Sequence, residues 1–149
     1  AASMGLEIPI LGSDTLDSNK VLEAAAGSDV QLYVSTFYQE GGSPEFDDGI
    51  KAWMNEDSTA MTNNGGNDTI AAVTAMGYDA YYVALEALKA AGSTDAGAVK
   101  AALPGVTYTG VTGVIAFDDI GDAIRDTAYI KVADTANNAW ALETMQKAG

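Results

Sequence analysis

Between residues 8 and 37 the hydrophobic pattern changes period twice, and this limits the fold more than any other feature of the chain. "IPIL", 8–11, is a short apolar run that reads as a buried strand. "DSNKVLEAAAG", 17–27, reads as a helix that Asp17 or Ser18 can cap and Gly27 can end. "VQLYVSTF", 30–37, alternates Val30, Leu32 and Val34 against Gln31, Tyr33 and Ser35, which is the period of a strand. A strand, a helix and a second strand in close succession point to parallel pairing with the helix as crossover.

The flanking segments extend this pattern. "AASMG" reads as the end of a helix, with Gly5 left-handed and Leu6 packing back, so the chain is expected to start inside a larger protein. "QEGGSPEF" is a flexible crossing. Ser43 is a suitable N-cap there and Pro44 a suitable first helical residue. Phe46, Ile50, Trp53 and Met54 then share one helical face. "NEDSTAMTNNGGND", 55–68, reads as a polar loop, and Asp68 as a cap for the long helix after it. In that helix Tyr78, Tyr81, Tyr82, Leu85 and Leu88 form a stripe that reads as packing, and Gly92 is the stop. Gly77 inside it is expected to mark a close approach. A helix from Asp95 to Ala102 ends before Pro104. "GVTGVIAFD" and "AYIKVAD" read as strands joined by the acidic turn "FDDIGDA", with "AWALET" as a third. The fold class is therefore α/β, parallel at the start, with antiparallel strands at the C-terminal end.

Composition removes several functions. The chain has no cysteine and no histidine, which excludes thiolate or imidazole zinc sites, thiol nucleophiles and histidine bases. Its net charge of −14 opposes contact with phosphate backbones and anionic membranes. No nucleic-acid partner and no enzyme activity are expected. The motifs point the same way. "NNGGND" lacks the lysine and hydroxyl residue that a phosphate loop needs. "DDIGD" lacks the ligand spacing of a calcium loop. Asp47 and Asp48 are adjacent on a helix and do not converge as a glycosidase pair. No metal and no cofactor are implied. What remains is "GSDT", 12–15, at the carboxyl end of the first strand, where open α/β sheets place ligands. Asp14 there either caps a loop or pairs with an ammonium group.

The stretches "MGLEIPILGSDTLDSNKVLEAAAG", "SPEFDDGIKAW", "MGYDAYYVALEALKAAGSTDAGAVKAAL" and "GVTGVIAFDDIGDA" occur in an order that resembles the C-terminal portion of type I periplasmic binding proteins, in particular the branched-chain amino acid binding proteins of ABC importers. The resemblance implies a Rossmann-like three-layer fragment of a two-lobe fold. It places 1–37 and 108–149 in the second lobe and 38–107 in the first, as one folded unit or a swapped dimer. It further implies an extracytoplasmic solute-binding component, periplasmic or extracellular and open to lipid anchoring. Such a component closes two lobes on a small amino acid and works with an ABC permease. A ligand-sensing receptor domain of the same fold is the alternative. By the resemblance Asp14 stands where the family's acid holds the ligand's ammonium group, flanked by Ser13 and Thr15. Thr36, Phe37 and Tyr38 then shape the floor beside the crossing, and Gly41 and Gly42 suit a hinge. A chain carrying half of a cleft is expected to bind its ligand weakly and to self-associate through uncovered edges.

Overall fold

The structure, a computed structural model, describes residues 2–5 and 7–147. It divides into two compact units, residues 1–73 with 127–149, and residues 74–126. The lobe crossings implied by the resemblance lie at 37/38 and 107/108.

The first unit is built on a four-stranded sheet in the order β1 (Ile10–Gly12), β2 (Leu32–Thr36), β6 (Thr127–Asp134), β7 (Ala139–Lys147). β1 and β2 are parallel, with Ile10 opposite Leu32 and Gly12 opposite Val34. The strand–helix–strand period thus forms its parallel pair, with α1 (Asn19–Ala25) between the two strands in sequence. β6 adds to β2 antiparallel, with Val34 opposite Lys131, and β7 adds to β6 with a bulge between Ile130 and Lys131. Leu32, Val34 and Thr36 are buried, so the alternation read from the sequence is the pleat of β2. The first strand lies two residues later than expected. A 3-10 turn at Ala2–Met4 precedes Gly5, whose φ is +62°; Leu6 lies outside the described residues.

α2 (Pro44–Glu56) begins at Pro44 after Ser43, but the Ser43 hydroxyl makes no cap bond. Its buried face differs from the expected one. Phe46, Asp47 and Met54 are buried while Trp53 is 55% exposed. At about 100° per residue, Asp47 and Met54 lie on the same side of Phe46 and Trp53 on the other. The face turns inward toward Asp47, because its carboxylate accepts from Tyr38 Oη at 2.6 Å and from the Gly41 N–H at 2.7 Å.

The polar stretch after α2 also departs from expectation. Asp57 caps a short helix, α3 (Ser58–Asn63), through the N–H groups of Thr59 and Ala60. Asp68 accepts from Asn55 Nδ2. α4 (Ala72–Ala91) starts four residues beyond Asp68 and ends, as expected, at Gly92.

In the second unit the body of α4 buries Ala75, Asp79, Val83 and Ala87. Val83 and Ala87 form a core with Val106 and Ile115. The expected tyrosine stripe lies on the flank. Tyr81 is 65% exposed, and Tyr82 stacks on Tyr108 with ring centroids 5.9 Å apart. A Cβ at Gly77 would meet open space, so no close approach occurs there. α5 (Ala96–Ala102) is capped by Asp95. β3 (Tyr108–Gly110), β4 (Gly113–Phe117) and β5 (Ala123–Ile124) make an antiparallel sheet. The acidic turn therefore joins β4 to β5 rather than to β6, which belongs to the other sheet. No helix among the described residues is long and apolar enough to cross a membrane.

Candidate functional site

β1 ends at Gly12, and the chain turns at once into a 3-10 turn, Asp14–Leu16. The turn closes through Leu16 N–H to the Ser13 carbonyl and Asp17 N–H to the Asp14 carbonyl, each 3.0 Å. Ser18 then starts α1, its hydroxyl accepting from the Val21 N–H. Of the two expected caps, Ser18 takes that role and Asp17 turns inward.

This turn forms one wall of a cleft of about 380 Å³ within the first unit, with Asp14, Thr15 and Asp17 among its lining residues. Opposite stand Thr62, Asn63 and Asn64 at the end of α3, with Gly65 beyond them. The Asn64 side chain is fixed by the carbonyls of Asn67 and Thr69, and Asn19 Nδ2 donates to Asn64 O and Asn67 Oδ1, both at 2.7 Å. Gly65 has φ of +84°, and a Cβ there would lie 3.1 Å from Asn19 Cβ. The "NNGG" glycines thus serve a braced wall that needs left-handed backbone.

Asp14 is half-buried at this wall, and no side-chain hydrogen bond reaches its carboxylate among the described residues. Ser13 and Thr15 are exposed and share a hydrogen bond of 2.8 Å between their hydroxyls. The structure thus brings Asp14 and Thr15 together on the cleft. Thr36, Phe37 and Tyr38 are not among its lining residues. Thr36 is fully buried and donates to Asp17 Oδ2 at 3.0 Å. Phe37 is half-buried at the end of β2. Tyr38 is buried, packs edge-on against Phe46 at 5.6 Å, and joins Asp47 and the Ser43 N–H in bracing the loop 39–43. Burial, and then the Asp47 carboxylate, push its hydroxyl well above the usual phenol range.

Asp17 is the feature that sequence reasoning passed over. Its side chain and that of Lys131 are sealed from solvent and form an ion pair at 3.0 Å. The same oxygen, Oδ2, accepts from Thr36 and, at 3.2 Å, from the Ala72 N–H. Removing one partner of such a buried pair costs about 3–5 kcal/mol. The signal was in "AYIKVAD": a lysine inside an apolar strand implies a buried acid. Nothing local named Asp17 as that acid.

Among the described residues no group of acidic side chains is arranged to hold a metal ion. Chemically the cleft offers the Asp14 carboxylate, which no side-chain hydrogen bond reaches among the described residues, the hydroxyl of Thr15 beside it, and asparagine residues opposite, while Ser13 is not among its lining residues. A carboxylate and hydroxyl in a cleft suit a small polar or cationic molecule.

Comparison with known proteins agrees with the architecture. The family described as periplasmic binding protein matches residues 1–137. No curated protein matches the chain. Among solved structures, the chain is similar to a leucine-binding protein of Thermotoga maritima, with TM-score 0.72, 24% identity, and coverage of 97% of this chain and 39% of that one. It is also similar to an ABC transporter solute-binding protein of R. palustris in complex with benzoate, with TM-score 0.69, 16% identity, and coverage of 99% and 39%. A third is an ABC transporter substrate-binding protein of Desulfitobacterium hafniense in complex with leucine, with TM-score 0.58, 22% identity, and coverage of 94% and 37%. The fold is shared with these proteins, and the chain spans 39% of the length of the first two.

Proposed function

The chain belongs to the periplasmic binding protein family, and from that premise we propose that it is part of an extracytoplasmic solute-binding component of an ABC importer. In this reading it binds a small amino acid of the branched-chain type, or a related amine-bearing molecule, and performs no catalysis. Residues 1–37 and 108–149 belong to one lobe and 38–107 to the other, and the ligand is held as the lobes close. Two solved neighbours, a leucine-binding protein and a protein bound to leucine, support the ligand class.

One observation carries the reading. Asp14 stands after the carboxyl end of β1, on a cleft of about 380 Å³, with no side-chain hydrogen bond to its carboxylate among the described residues. A carboxylate in a partly desolvated cleft favours an ammonium group and disfavours a ligand that carries a carboxylate alone. Ser13 and Thr15 support the turn from either side. Thr36 is joined to this turn through Asp17 Oδ2, and Phe37 and Tyr38 follow it on the path from β2 into the next segment.

The test is an NMR titration of the isotope-labelled chain with leucine and with 4-methylpentanoate, which is leucine without its amine. Leucine shifts the amides of residues 13–17, 4-methylpentanoate does not, and Asp14→Asn abolishes the response. Equal responses to the two compounds, or shifts confined to other regions, overturn the reading. Calorimetry adds a second check. Binding is weaker than micromolar if the chain holds half of the cleft, and micromolar affinity contradicts that half-cleft view.

A further inference from the structure

We propose that Asp17 is a positioning residue, whose buried carboxylate holds the Asp14–Leu16 turn in its binding geometry before any ligand arrives. The inference rests on the reading of Asp14 given above.

Three observations converge on it. The first is connectivity: the Asp17 backbone N–H closes the very turn that begins at Asp14. The second is reach. One oxygen of Asp17 gathers donors from Thr36 at the end of β2, Lys131 in β6 and the Ala72 N–H at the head of α4. These lie 19, 114 and 55 positions away in the sequence. A single side chain thus fixes the turn against three remote segments at once. The third is imperfection. Asp17 Oδ1 is buried with no hydrogen-bond partner. A buried ion pair with an orphaned acceptor is a poor way to gain stability, since apolar side chains of similar volume often do as well or better. What such a pair supplies is direction. Two strand residues and one backbone N–H define a position and an orientation that a greasy contact would leave free to slide. Because the Asp17 carboxylate is sealed from solvent, it acts on the cleft through Asp14 and Thr15.

The decisive variant is Asp17→Leu with Lys131→Met, which removes both charges together. Thermal unfolding, amide hydrogen exchange and the leucine titration are compared with the wild-type chain. The expected result is a melting temperature close to wild type and exchange in β6 unchanged. Exchange at positions 16 and 17 rises at least tenfold, and the leucine response at residues 13–17 is lost. Unchanged protection at positions 16 and 17, or no protection there in the wild type, overturns the proposal. If the double variant does not fold, Thr36→Val keeps the ion pair and removes one donor. Faster exchange at 16 and 17 alone then supports the proposal, and uniform acceleration across the first unit overturns it. If the wild type shows no leucine response, the ligand reading fails while the exchange comparison still decides the role of Asp17.

Discussion

The carboxylate of Asp79 occupies the space that a side chain at position 110 would need. Asp79 is buried on α4 and accepts from the N–H groups of Val111 and Thr112 at 2.9 and 2.8 Å, and from Thr112 Oγ1 at 2.6 Å. Arg125 closes over the same turn, donating to the carbonyl and hydroxyl of Thr112. A Cβ built on Gly110 overlaps the Asp79 carboxylate. "GYDA" and "YTGVTG" are therefore two halves of one lock between helix and hairpin. Gly110→Ala is expected to destabilise the chain by about 1–3 kcal/mol through overpacking. Urea denaturation measures it, and a change within about 0.5 kcal/mol, the ordinary surface range, contradicts the lock.

The opposite outcome is expected at Gly77. It lies in the interior of α4 with nothing within 4 Å of a built Cβ. Alanine there gains helix propensity and meets no neighbour, so Gly77→Ala raises stability by about 0.5–1 kcal/mol. A loss of stability in the same denaturation experiment would reveal a close contact at this position.

Tyr38 makes stability depend on alkaline pH. Its folded pKa is raised, by burial first and then by the Asp47 hydrogen bond and charge. The unfolded state releases the phenol proton near pH 10 while the folded state still holds it. The contribution is complete below pH 10 and falls as pH rises beyond it, by about 1.4 kcal/mol per pH unit. Urea midpoints between pH 9 and 11 should drop for the wild type and drop less for Tyr38→Phe. Parallel curves for the two proteins would show that Tyr38 is not responsible.

Open edges predict self-association. β1 is an edge strand, with Leu11 66% and nearby Ile8 63% exposed. β7 forms the other edge, with Leu142 and Met145 about half exposed at 48% and 49%. Such edges pair with copies of themselves, while a net charge of −14 opposes approach. Light scattering should therefore show dimers that increase as salt screens the charge. A monomer at high concentration in high salt contradicts the expectation.

Local period was legible where one face of one segment decides it. The alternation over 30–37, the strand–helix–strand order around it and the stop at Gly92 all stand in the structure because each depends on residues within a few positions. The place of Asp14 in a turn after the first strand was legible for the same reason. The face of α2 was not, because Tyr38 draws Asp47 inward and leaves Trp53 outside. Nor was the short helix after Asp57, whose cap hides in a run of polar residues that reads as a loop.

The amino-acid sequence by itself determined the strand–helix–strand order at the start of the chain and the long helix ending at Gly92, and that thiolate and imidazole sites are absent. Tertiary structure alone decided that β4 and β6 enter different sheets, that Thr36 faces inward, and that Asp17 and Lys131 meet across 114 positions. The reason is that periodicity records the neighbours along one element, whereas a buried carboxylate's partners are chosen by how distant strands come to lie side by side.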